Sequence, residues 1–220
     1  MRWIERVEIE GPAWILVISF IAVGIAEIAD GPIAKWGVSA GALKSGRWQT
    51  LFSYAFAHAG GWHLFMNSAG LLTLAPGVIA VFGRWPMSWL RFTLFYCLAA
   101  VAALATYLAL HPNGNTSMLG ASGAIFGLLG AVARIDERYV RPVPLNSPQV
   151  WRVARDALRE NVVLFAIFFG IAWLTHLSGG LAWEAHVGGF LFGLLAINWF
   201  WSPDADFVDR LLATAPAAKK

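Results

Sequence analysis

Gly120-Ala121-Ser122-Gly123-Ala124-Ile125-Phe126-Gly127-Leu128-Leu129-Gly130-Ala131 carries a single hydroxyl in an otherwise apolar run, and Arg134 follows three residues later. A helix from Ser122 to Arg134 rises only about 18 Å at ~1.5 Å per residue, against a hydrocarbon core of ~30 Å. With Arg134 at the inner boundary, Ser122 lies roughly 12 Å below the outer one, inside the membrane. The non-helical stretch 110–119 reaches that depth only if protein or a water-filled cavity surrounds it, because lipid cannot satisfy its amides. A wet cavity open to the outside is therefore expected.

The rest of the chain supports a lipid environment. Of its 220 residues, 58% are hydrophobic and 13% charged, with a mean hydropathy of +0.61, whereas soluble domains are about 45–50% apolar and ~25% charged. Twelve Trp and fifteen Phe suit a protein bordered by membrane interfaces. The apolar share excludes a disordered chain, and the solitary Cys97 excludes a disulfide scaffold. Apolar runs at 12–28, 62–82, 89–110, 121–133, 162–177 and 183–201 predict an all-α membrane protein with six transmembrane helices, the fourth of them short.

With the N-terminus inside, the outer segments hold only Lys35, Lys44 and Arg47 of the 16 basic residues. The positive-inside rule then places both termini in the cytoplasm, and no basic patch remains for nucleic acid. Residues 1–11 read as a short cytoplasmic N-terminus, 12–202 as the six-helix membrane domain and 203–220 as a cytoplasmic tail. The first run lacks a small-residue cleavage site and reads as a retained span. The outer loop 30–61, with Trp36, Leu43, Trp48, Leu51, Phe52 and Phe56, is too apolar for a free loop and too broken for a span, so it is expected to lie in the interface. The inner loop 134–160, rich in charge and proline, is the expected mobile region.

The same depth arithmetic puts His186 about 22 Å above Trp201, roughly 8 Å below the outer face and near the level of Ser122. Gly123 and Gly127 on the fourth helix, and Gly189 and Gly193 on the sixth, form small-xxx-small faces that let two backbones approach. His186 and Gly193 are seven apart and share a face, so that packing turns the imidazole towards Ser122. A serine whose proton passes to an imidazole is an activated nucleophile. The start of the fourth helix offers unpaired N–H groups for a developing oxyanion. His63 and Asn67, four apart on the second span, are further donors for it. Glu184 is only two residues from His186 and faces elsewhere, which favours a dyad over a triad. No metal ligand spacing occurs, and neither metal nor cofactor is expected. A transporter is the competing class, since a wet cavity also suits a solute. Against it, no inverted repeat or pair of broken spans is evident.

The spacing His58-x4-His63-x3-Asn67, then Gly120-Ala121-Ser122-Gly123-Ala124-Ile125-Phe126-Gly127-Leu128-Leu129-Gly130-Ala131, then Ala185-His186-Val187-Gly188-Gly189-Phe190-x2-Gly193, resembles the rhomboid intramembrane serine proteases over nearly the whole chain. The resemblance implies a Ser122–His186 catalytic dyad, oxyanion donors His63 and Asn67, an aromatic Phe126 stacked on His186, and residues 30–61 as the first outer loop. It also implies lateral entry of single-pass or polytopic membrane-protein substrates from the lipid bilayer, cut near the outer face at small residues beside helix-destabilising ones. The expected setting is the bacterial cell (inner) membrane. Thr50 stands where the family often has an arginine after its tryptophan, which bears on loop support or subfamily rather than on chemistry. His58 reads as structural, pinning the outer loop, and His111 and His176 as solvated at span ends. Phe165, Phe168, Phe169 and Trp173 read as lipid-facing or packing, with a share of them as a lateral gate. A non-proteolytic binder of membrane clients is the alternative within the same fold.

Overall fold

Where two helices are to touch backbone to backbone, their facing residues must lack side chains, and the glycines that follow Ser122 and His186 meet that condition. The structure is a computed structural model describing residues 3–30, 35–136, 140–175 and 182–205. The chain runs α1 (Trp3–Asp30), α2 (Ala40–Lys44), α3 (Thr50–Ser53), α4 (Gly61–Val81), α5 (Met87–Leu110), α6 (Ser122–Ala133), a two-residue hairpin of β1 (Ile135–Asp136) and β2 (Arg141–Pro142), α7 (Pro148–Thr175) and α8 (Trp183–Phe200). A Cβ on Gly189 would land on the carbonyl of Gly123, and one on Gly193 on the carbonyl of Gly127. The two helices share a seam of backbone, as the small-xxx-small spacing predicts. On its other flank α6 meets α5, where Ala103 and Ala99 lie so close that a Cβ on Gly123 or Gly127 would come within 2.5 Å.

Around this axis pack Phe20 from α1, Leu71 from α4, Phe92 and Phe95 from α5, Leu128 from α6 and Ile197 from α8, all essentially buried. Large apolar side chains also cover the outside, among them Ile18, Ile25, Leu90, Val101, Leu195 and Trp199. Water does not tolerate so broad an apolar surface, and lipid does. Among the described residues, three helices are long and apolar enough to cross a membrane, at Arg6–Ile28, Gly61–Val81 and Met87–Leu110, while α6 is apolar but shorter.

Two boundaries differ from the expectation. Helix α1 starts at Trp3 rather than near Pro12, and Pro12 lies inside it. Proline has no N–H to give the carbonyl four residues back, and Glu8 O instead accepts from the Trp89 indole at 2.8 Å, with the ring lying across Gly11. Helix α7 starts at Pro148, well before Val162, so the second half of the supposed mobile loop is helical. The local reason is Ser147-Pro148: the serine hydroxyl accepts from Val150 N–H at 3.3 Å as an N-cap, and proline fits the first helical position. The first half of α7 carries Arg152, Arg155, Asp156, Arg159 and Glu160, which sets it apart from the apolar spans.

Arg134, expected at an inner boundary, is buried. Its guanidinium donates to Leu194 O at 2.8 Å, Asn198 Oδ1 at 3.1 Å and Val143 O, fastening the end of α6 to α8 and to the hairpin. A buried guanidinium is tolerable because its donors find acceptors in this way.

Candidate active site

The seam determines where α6 and α8 present their first turns. Ser122 opens α6 and His186 lies in the first turn of α8, and the Ser122 hydroxyl is 2.8 Å from His186 Nε2. The imidazole is 3% exposed, and Phe126 stacks on it with ring centroids 4.2 Å apart and planes 6° from parallel. Phe126 is one helical turn after Ser122, so the residue that holds the ring is borne by the helix that presents the hydroxyl. On the other edge of the ring, Nδ1 is 2.7 Å from Asn161 Oδ1 on α7, a residue the sequence reading did not include.

The segment that delivers Ser122 is held by the outer loop. Met118 and Val38 exchange both backbone hydrogen bonds at 2.8 and 2.9 Å, and Gly41 N–H donates to Gly114 O. Tyr54 O accepts from Gly120 N–H at 2.8 Å, while the Tyr54 hydroxyl donates to Ala100 O on α5. Tyr107 donates to Thr116 O, and Lys44 reaches Pro112 O and Asn113 Oδ1. Protein groups thus satisfy this non-helical backbone, as its expected place at membrane depth requires. The loop is two-sided, with Val38, Thr50, Tyr54 and Ala57 buried and Trp48 and Phe52 exposed. Thr50, in the place of the family arginine, is fully buried and its hydroxyl donates to Arg47 O at 2.7 Å.

His63 Nδ1 accepts from Ala59 N–H at 3.2 Å, which leaves the proton on Nε2 as a donor. That edge of the ring faces Gly120, two residues before Ser122: a Cβ on Gly120 would come within 2.8 Å of Nε2. Gly120 also has φ of +113°, so both the backbone and the space require glycine there. Asn67 is less directly placed. Its Nδ2 donates to His63 O within α4, and its Oδ1 is buried without a partner among the described residues.

His58 lies between α1 and α4, its ring 5.1 Å from Phe20 and 5.2 Å from His63, with Nδ1 donating to Phe56 O. Burial and then the neighbouring His63 push its pKa down to about 4. Glu184 does face away from His186, and it accepts from His111 Nε2 at 2.8 Å; His111 is therefore tied to α8 rather than merely solvated. Among the described residues no three His, Cys, Asp or Glu side chains gather as a metal site. His176, the side chains of Phe165, Phe168, Phe169 and Trp173, and residues 206–220 of the tail lie outside the described residues.

A cavity of about 420 Å³ adjoins the pair between α7 and α8, lined by Ala157, Leu158 and Asn161 on one side and His186, Val187 and Phe190 on the other. Apart from Asn161 and His186 its lining is apolar. A helical membrane protein with a serine hydroxyl hydrogen-bonded to a buried imidazole is the class that this fold and site define. Residues 45–203 match the rhomboid domain family model, most of the chain, so the chain belongs to the rhomboid family. It is 25% identical to RHOMBOID-like protein 5 of Arabidopsis thaliana over 147 residues, 67% of this chain and 42% of that protein. It is 34% identical over 89 residues to a Bacillus subtilis (strain 168) protein named "Putative rhomboid protease YdcA", covering 40% of this chain and 41% of the other. The chain thus spans about two-fifths of the length of each of these relatives.

Proposed function

We propose that this chain is an intramembrane serine endopeptidase that hydrolyses peptide bonds in or near transmembrane segments with a Ser122–His186 dyad. The observation that carries the reading is the 2.8 Å contact between the Ser122 hydroxyl and His186 Nε2, with Phe126 fixing the imidazole plane. As Oγ bonds to the scissile carbonyl carbon, its proton passes to Nε2. The oxyanion takes hydrogen bonds from first-turn N–H groups of α6 and from His63 Nε2–H, with Asn67 contributing the second hydrogen of its amide. When the C–N bond breaks, the leaving amine takes the proton from Nε2. Water then repeats the sequence on the acyl-enzyme, releasing the second product and restoring the serine.

The expected substrates are single-pass or polytopic membrane proteins. An intact helix hides its carbonyls in its own hydrogen bonds, so a local opening has to precede attack. The six-span arrangement, the cytoplasmic termini and a bacterial inner membrane belong to the same proposal, supported by the apolar runs and the basic residues outside the outer segments. A fluorophosphonate probe tests the chemistry: wild type is labelled and cleaves a transmembrane substrate in liposomes, while folded Ser122→Ala and His186→Ala variants do neither. Turnover by a folded Ser122→Ala protein would defeat the dyad.

A further inference from the structure

The dyad leaves one question open that the geometry answers: which ring nitrogen of His186 carries the proton. For His186 to accept the Ser122 proton, Nε2 must be bare and Nδ1 protonated, and a neutral imidazole without a partner at Nδ1 does not hold that form by itself. Asn161 Oδ1 is 2.7 Å from Nδ1. The amide is also oriented from behind, because its Nδ2 donates to Ala157 O at 3.0 Å, one turn earlier on α7. That bond turns the nitrogen towards the helix and the oxygen towards the ring, so the group facing Nδ1 is an acceptor.

We propose that Asn161 is a positioning residue for His186, holding the imidazole in the Nδ1–H tautomer and making the site a Ser–His–Asn array. An amide third member is chemically sufficient, as Cys–His–Asn proteases on other folds illustrate. When Ser122 gives up its proton, the imidazolium carries N–H on both nitrogens. The Nδ1–H bond to Asn161 strengthens as charge develops, while the amide itself gains and loses no proton. Three contacts on the ring are then supplied by two elements: Phe126 against its plane and Ser122 at Nε2 from α6, and Asn161 at Nδ1 from α7. Because α7 supplies the third contact, the competent tautomer depends on where α7 rests. Asn161 stands at the junction of that helix, between the exposed Arg159 and Glu160 and the apolar residues from Val162 onward.

The inference rests on the protease reading for its kinetic consequence but not for its structural one. In full-length, ¹⁵N-histidine-labelled protein, with the His186 signal assigned by its loss in His186→Ala, the ring is expected as the Nδ1–H tautomer. In Asn161→Leu it is expected to move towards Nε2–H. In the same variant kcat for a transmembrane substrate should fall about 10- to 10²-fold with KM nearly unchanged, the range for losing a hydrogen bond to a charged group. Asn161→Asp, which keeps an acceptor at the same place, should recover most of kcat and the Nδ1–H signal. It also serves as the test if the leucine variant fails to fold. Wild-type protein that neither labels nor cleaves would defeat the protease reading alone. An unaltered tautomer and kcat in folded Asn161→Leu, or an Asn161→Asp variant as slow as the leucine one, would overturn the role of Asn161.

Discussion

The α6–α8 seam and the α7 flank both reach the same imidazole, and they do so by different means. Across the seam, Gly123, Gly127, Gly189 and Gly193 bring backbone against backbone, so no side chain spaces the two helices that carry Ser122 and His186. Across the flank, α7 borders an apolar cavity and meets the ring through one amide. Backbone contact yields a position that side-chain motion cannot loosen, whereas a single side-chain bond leaves a position that one substitution can remove. The site therefore has a rigid half that presents Ser122 and His186, the proposed nucleophile and base, and an adjustable half that carries Asn161, the proposed positioning residue.

The largest effect should come from breaking the rigid half. A leucine at Gly189 has no space, since even its Cβ would strike the Gly123 carbonyl. Gly189→Leu should lose about 3 kcal/mol or more, and with it folded protein and probe labelling. Gly77→Leu, at a position with open space around it, should unfold near the wild-type temperature in detergent. Equal melting of the two variants would show that the seam is not what fixes the site.

Next come the proposed oxyanion donors. His63→Ala and Asn67→Ala should lower kcat by about 10² to 10³ with little change in KM, because their hydrogen bonds strengthen only as the carbonyl oxygen gains charge. The loss should be larger for His63, whose Nε2–H faces Gly120, than for Asn67, whose amide already serves its own helix. Full kcat in both variants, with lower melting temperatures, would make them structural residues.

A smaller effect concerns His58, between α1 and α4. Its pKa is lowered in the folded state, to about 4 from an ordinary 6.5, so folding favours the neutral ring. Stability from this group is complete above pH 6.5 and is lost as pH falls towards 4, by roughly 3 kcal/mol at most. Melting temperature measured from pH 7.5 to 4.5 should fall more steeply for wild type than for His58→Phe. Parallel curves would remove His58 from the account.

The smallest effect is expected at Thr50. Thr50→Val removes the hydrogen bond to Arg47 O and should cost about 1 kcal/mol in stability without altering kcat at saturating substrate. A large drop in kcat would mean that the outer loop controls the chemistry more closely than the bonds from Val38 and Tyr54 suggest.

What the sequence determined by itself was the pattern that periodic packing and spacing control. The apolar runs located the long helices, the four-residue glycine spacing selected the two that touch, and the rise per residue put Ser122 and His186 at one level. These are properties of a helix as a repeating object, and they are readable from residue intervals alone. The start of α7 is legible too, in Ser147-Pro148, a cap signal that the charge and proline of 134–160 mask and that the loop reading leaves out. Only the tertiary structure decided the rest. Asn161 meets His186 because α7, packed beside α6, reaches across the edge of the cavity to the first turn of α8, and no interval in the chain encodes how two separate helices align along each other. The same holds for the burial of Arg134 among the carbonyls of α8, for Trp89 at the carbonyl that Pro12 leaves free, and for the turn of the Asn67 amide onto its own helix. Each is a hydrogen bond between groups far apart in sequence or with alternative partners nearby. Its formation depends on which acceptor the packed helices bring within about 3 Å, a distance smaller than any sequence pattern resolves.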